Sequence, residues 1–197
     1  MSDSNSLIRC GWVSNDPLYQ DYHDHVWGVP VMDSQELFAK LCLDGQQAGL
    51  SWITILKKQK NYEEAFLNFD PEKVSVFDEQ DVERLLLNPG IIRNRLKVNS
   101  IIRNARAYLK MQEQGIDFVD FIWSFVDHKT KQNEFKQLSH VPATSEQSDA
   151  MSKALKKAGF NFVGSTICYA FMQAVGLVND HTTDCHCYEK VRALGRK

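Results

Sequence analysis

The sequence predicts an all-α protein folded as one compact helical domain. Three observations carry that expectation: apolar stretches are joined by short polar connections, residues that start helices recur ahead of those stretches, and hardly any segment alternates like a strand. At 197 residues and 43% hydrophobic composition, the chain can bury one sizeable core, and a single domain is the default.

The elements follow in order. Asp16-Pro17 starts the first helix, with Asp as cap and Pro where its missing N–H costs nothing. Asp33 followed by Glu36 resembles a capping box for a helix that turns Leu37, Phe38, Leu41 and Cys42 inward. A helix over 46–58 carries Leu50, Ile53, Ile55 and Leu56 and ends on a lysine pair suited to the helix dipole. A short helix over 61–69 precedes another begun by Asp70-Pro71, and helices are predicted over 79–88, 94–112 and 117–125. Residues 127–144 are polar and read as a loop. Thr144 or Ser145 caps a helix with Ala150, Leu155 and Ala158 that stops at Gly159, and a last apolar helix over 163–175 ends near Gly176. Beyond Asn179 there are too few apolar residues to pack alone. The expected organisation is a loose lead-in over 1–8, one domain over 9–188 and a tail over 189–197.

Composition narrows the function. Five cysteines is an odd number, Cys42 and Cys168 sit in apolar stretches, and no secretory leader is read, so a reduced cytosolic setting fits better than a disulfide framework. No apolar run approaches the length of a membrane span. A net charge of -2 argues against indiscriminate coating of nucleic acid but leaves room for a local basic face. Residues 91–112 contain no acid yet hold Arg93, Arg95, Lys97, Arg103, Arg106 and Lys110.

Three constellations carry chemistry. Cys10 and His23 near one end, with His181 and Cys185 near the other, are four potential zinc ligands that would tie the termini together. Their spacing is irregular, and Cys187 or His186 could stand in for Cys185; the bland alternative is a buried cysteine, two surface histidines and a loose tail. Second, a tight turn at Pro89-Gly90-Ile91 opens a basic helix, where backbone N–H groups and a helix N-terminus can hold a phosphate. Third, Trp12, Tyr19, Tyr22 and Trp27 crowd the first thirty residues, and Trp52 follows the polar residues Asp44, Gln46 and Gln47. Such rings usually fill a core, but with a carboxylate they also suit a base pulled from the stack, above all a positively charged one.

Cys10-Gly11-Trp12, YHDHVWGVP (22–30), GQQAGLSWITILKK (45–58), GIIRNR (90–95), FVGSTICYAFMQAVGLVNDH (162–181) and Cys185 together resemble the DNA-3-methyladenine glycosylase I family. The resemblance runs from about residue 9 to residue 188. It implies a helix-hairpin-helix glycosylase fold whose structural zinc joins the N- and C-terminal segments through Cys10, His23, His181 and Cys185. It further implies removal of 3-methyladenine, and more weakly 3-methylguanine, from double-stranded alkylated DNA with the base flipped out. By the same resemblance Tyr22 and Trp52 sandwich the base, Tyr19 and Trp27 line its pocket, and Pro89, Gly90, Ile91, Arg93 and Arg95 form the DNA anchor. Asp44 matches a position that holds glutamate in well-studied members, so the carboxylate is kept on an arm one methylene shorter. The acid-free stretch lacks the aspartate that most relatives of this superfamily place after the hairpin, which a cationic leaving base makes tolerable. Monofunctional hydrolysis by a bacterial, cytoplasmic monomer that joins the nucleoid when on DNA is the resulting expectation. The competing readings are a non-catalytic, zinc-containing helical DNA-binding protein and a glycosylase with shifted base preference.

Overall fold

The computed structural model describes residues 7–195. The lead-in expected over 1–8 lies outside the described residues as far as residue 6, and the expected tail lies outside them at 196–197. Among the described residues the structure is helical apart from one pair of two-residue parallel strands.

Local chemistry starts most elements where the sequence expects. Asp16 accepts from the Leu18 N–H at 3.0 Å to open α1 (Pro17–His25), and Asp33 accepts from the Glu36 N–H at 2.8 Å to open α2 (Ser34–Gln46). Helix α3 is Trp52–Leu56 and α4 is Gln59–Ala65, followed by a single 3-10 turn at Leu67–Phe69. Asp70 caps α5 (Pro71–Ser75), and Asp78 and Asp81 form a reciprocal box on α6 (Glu79–Leu86). Asn94 caps the long α7 (Arg95–Glu113), and Asp117 caps α8 (Phe118–Ser124). Ser145 boxes with Ser148 at the start of α9 (Glu146–Ala158), which ends on Gly159 at a φ of 101°. Helix α10 is Ser165–Ala174 and α11 is Tyr188–Leu194.

Helix α2 lies at the centre, packed against α7, α8 and α10, while α7 also packs on α5 and α6 and α10 on α9. Leu37, Phe38 and Leu41 of α2, Val98 and Ile101 of α7, and Phe171 and Met172 of α10 are fully buried. The buried end of α2 therefore fixes whatever its last turn carries, and that turn carries Asp44.

The structure departs from the sequence reading in three places. The helix expected over 46–58 is broken: Gly49 takes a φ of 76°, and Ser51 is extended ahead of α3. That bend swings Trp52 back toward α2. In the loop expected over 127–144, Lys131–Gln132 pairs with Val178–Asn179, so the polar connection clamps the segment leading to His181. Finally, the residues expected as a tail form α11, with Tyr188 and Val191 buried. A Cβ on Gly28 would lie 3.2 Å from His181 and 3.4 Å from Val191, so that glycine lets the terminal segments close on each other.

Candidate active site

The first turn of α1 and the last turn of α2 face one cavity of about 180 Å³. Tyr19, Tyr22, Trp27 and Trp52 line it together, as expected, with Trp12, Asp44 and Gln47 beside them. Gln46 does not: it is fully buried and turned toward α7, where its amide donates to the Lys97 carbonyl at 3.1 Å and its oxygen accepts from the Tyr62 hydroxyl at 3.2 Å.

The aromatic wall is continuous. Trp12 lies 5.0 Å from Tyr19 and 5.0 Å from Trp27 between ring centres, and Tyr22 lies 5.6 Å from Trp52 at 42°. Two parallel faces holding a flat ring stand about 7 Å apart, so at 5.6 Å Tyr22 and Trp52 touch each other here.

Asp44 is 2% exposed. Its Oδ1 accepts from the Lys40 ammonium at 3.0 Å, one turn back on α2. Burial raises its pKa above the usual carboxylate range, and the Lys40 charge pulls it back down. Among the described residues, two buried side-chain polar atoms have no hydrogen-bond partner in the protein: Asp44 Oδ2 and Trp52 Nε1. Both belong to this cavity, one acceptor and one donor, and an unpaired buried polar atom costs about 1–3 kcal/mol.

Lys40, Gln173 and Asp180 also line the cavity and were not singled out from the sequence. Asp180 accepts from Asn133 at 2.7 Å, Tyr169 at 2.6 Å and Gln173 at 2.9 Å, which leaves it locked in place rather than available as a base. Its position beside His181 was the available signal; for Lys40 it was the i,i+4 spacing to Asp44.

Behind Tyr22 the four end-placed ligands meet. Cys10 Sγ and Cys185 Sγ each lie 3.5 Å from His181 Nδ1, and Cys185 Sγ lies 3.5 Å from His23 Nε2. Zn–S bonds of about 2.3 Å and Zn–N bonds of about 2.0–2.1 Å at tetrahedral angles set S and N about 3.6 Å apart, so the residues fit the ion. All four are buried, where the sequence alone left both histidines open to a surface reading. The other ring nitrogens are held as metal-binding histidines require: His23 Nδ1 meets Asp24 at 2.7 Å and His181 Nε2 meets the Trp27 carbonyl at 3.1 Å. His186 and Cys187 do not replace Cys185. They group around Asp24, which also takes a two-pronged bond from Arg9 and serves to orient His23.

The turn between α6 and α7 is built by close approach. A Cβ on Gly90 would sit 2.9 Å from Asn61 and from Asn88 Oδ1, so only glycine fits, although its φ is ordinary. The Gly90 N–H donates to Asn88 Oδ1 at 2.8 Å and the Ile92 N–H to the Tyr62 hydroxyl at 3.1 Å. Pro89 is exposed, and Ile91 is buried with its N–H donating to the Asn88 carbonyl at 3.4 Å. Most of the basic run is spent internally. Arg95 is held by Glu79 and Glu83, Lys97 donates to the Gln46 and Ala48 carbonyls, and Arg103 and Arg106 cap the carbonyls of Gly159 and of Ser75 and Phe77. Arg93 remains exposed at the turn.

The sequence profile of the family described as methyladenine glycosylase matches residues 12–188. The chain belongs to the methyladenine glycosylase family. Among its relatives, the DNA-3-methyladenine glycosylase 1 of Escherichia coli (strain K12) is 61% identical over 182 residues, covering 92% of this chain and 97% of the relative. The DNA-3-methyladenine glycosylase of Haemophilus influenzae is 55% identical over 179 residues, covering 91% and 97%. A crystal structure of a 3-methyladenine DNA glycosylase I superposes with a TM-score of 0.91 at 57% identity, covering 92% of this chain and 100% of the other. The family's all-helical glycosylase fold and structural zinc site are therefore those described above.

Proposed function

We propose that this chain is a monofunctional glycosylase that excises 3-methyladenine, and more weakly 3-methylguanine, from alkylated double-stranded DNA. The observation that carries this reading is an aromatic cavity lined by Tyr22 and Trp52 whose buried Asp44 has an Oδ2 with no partner in the protein. A purine edge offers amino hydrogens to Asp44 Oδ2, while its flat faces meet Tyr22 and Trp52, whose in-plane N–H does not point at a base stacked on its ring.

The reaction needs little more. Methylation leaves the purine positively charged in the DNA, so breaking its bond to C1′ sends the electron pair to a base that leaves neutral. Water then adds to C1′ of the oxocarbenium-like sugar and loses a proton. No group has to protonate the base, consistent with a residue stretch 91–112 without acids. Held between rings and hydrogen-bonded at its edge, the base is fixed relative to the sugar, and positioning of this kind is worth several kcal/mol. The zinc supplies structure: its four protein ligands leave no open position for substrate or water.

The Pro89–Gly90–Ile91 turn with Arg93 anchors the phosphates once the Gly90 N–H exchanges Asn88 Oδ1 for phosphate, and Arg95 joins them by exchanging Glu79 and Glu83. Tyr62, Gln46 and Lys97 bind the turn to the end of α2, so the anchor and the base pocket form one rigid unit. The enzyme acts as a cytoplasmic monomer, one molecule per lesion. Among the described residues no helix is long and apolar enough to cross a membrane.

Chromatography of bases released from methylated duplex DNA tests this reading. It predicts free 3-methyladenine as the main product, with no strand cleavage and no borohydride-trapped adduct. Release of no base would leave a non-catalytic DNA-binding protein, and predominance of another alkylated purine would mark a shifted preference.

A further inference from the structure

The pocket already contains a cation. Lys40 places its ammonium 3.3 Å from the centre of the Trp52 ring and 5.4 Å from that of Tyr22, while donating to Asp44 Oδ1 at 3.0 Å. The side chain is only 13% exposed. An aromatic face and a carboxylate are the two features that would attract a positively charged base, and Lys40 engages both.

The chemistry shows what this does. On the reading under Proposed function, the purine enters carrying positive charge and leaves neutral, its charge passing to the sugar as the bond to C1′ breaks. A lone buried carboxylate beside the purine would stabilise the charged starting state more than the transition state, and so slow the reaction. An ammonium paired to that carboxylate cancels the effect and repels whatever charge remains on the ring. Asp44 Oδ2 stays free to accept a neutral hydrogen bond, because Lys40 engages Oδ1.

We infer that Lys40 sets the charge preference of the base pocket: it neutralises Asp44 and drives positive charge from the purine to the sugar, so that the site holds a neutral purine in preference to a purinium cation. Burial holds the Lys40 pKa below the usual lysine value, against the opposing pull of Asp44. Asp180, a second carboxylate of the cavity, is held by three donors, whereas Asp44 Oδ2 has none.

The test removes the charge and keeps the stem. In Lys40→Met, the affinity for 3,9-dimethyladeninium, a permanent cation, is compared with that for neutral 3-methyladenine, and single-turnover release is measured on methylated duplex with enzyme in excess. The expected result is at least about tenfold tighter binding of the cation together with at least about tenfold slower release. Lys40→Arg retains the preference for neutral over charged base. Weaker binding and slower release together would show a merely structural role and overturn the inference. So would an unchanged cation preference, or a release rate that holds or rises. Should Lys40→Met fail to fold, Asp44→Asn with and without Lys40→Met gives the same comparison without a stranded carboxylate, and the cation again binds tighter once Lys40 is gone. Failure of the underlying reading shows separately, since the wild-type protein would then release no 3-methyladenine while both affinities stay measurable.

Discussion

Removing the zinc lowers the melting temperature by roughly 10–20 °C, and Cys185→Ala, which leaves three protein ligands, weakens the hold on the ion. The zinc links residues separated by 171 positions, Cys10 and His181. Closing a loop of that length withholds about 5 kcal/mol of chain entropy from the unfolded state. In a chain of this size each kcal/mol corresponds to roughly 2–4 °C. Loss begins at the ends: with the ion gone, α11 loses its tie to α1, and the pairing of Lys131–Gln132 with Val178–Asn179 is no longer anchored through His181. Hydrogen exchange should accelerate first in α1 and α11 and last in α7. Tyr22 and Trp27 belong to the loosened wall, so base affinity falls as a consequence of the lost order. A metal-stripped protein with its melting temperature unchanged would contradict the structural role of the ion.

Asp44→Asn retains the fold and lowers release of 3-methyladenine at sub-saturating enzyme by about 10–100-fold, the loss in binding of a hydrogen bond to a carboxylate of roughly 1.5–3 kcal/mol. Asparagine fills the same volume at the end of α2, and its amide oxygen can still accept from Lys40. It cannot cancel the ammonium, so the cationic nucleotide also binds more weakly. Circular dichroism and melting separate this effect from unfolding. An unchanged rate with unchanged base affinity would remove Asp44 from the reaction.

Much of the fold was legible because caps are local. Asp16, Asp33, Asp70 and Ser145 each start a helix by reaching only two or three residues ahead, and Gly159 ends one by its own backbone freedom. Long-range closure was not legible. Leu50, Ile53 and Leu56 keep apolar spacing across 46–58, yet the chain turns at Gly49 because α2 and α3 must pack against each other. Helix α11 has seven residues, too few to show a pattern of its own, and is stabilised by contact with the zinc segment and Gly28.

The site shows the same division. The four ligands and the aromatic residues could be named because their types are chemically marked, but the burial of His23 and His181 depends on both ends of the chain meeting. Counting charge misleads on α7. Arg95, Lys97, Arg103 and Arg106 look like a phosphate track in sequence, yet their partners come from α6, α2, and the segments after α5 and α9. Lys40 was visible as a partner for Asp44 one turn away, whereas its seat on Trp52 follows from the bend at Gly49.

The central claim is that the cavity between α1 and α2 is the base site, completed through Asp44 and Trp52. Titrating free 3-methyladenine into nitrogen-15-labelled protein tests it most directly, with the Trp52 indole N–H resonance assigned by its loss in Trp52→Phe. The account predicts a saturable shift of that resonance, as a base stacks on the indole, and a weaker response in Asp44→Asn. Saturable binding that leaves the Trp52 resonance in place, or no binding at all, would contradict it.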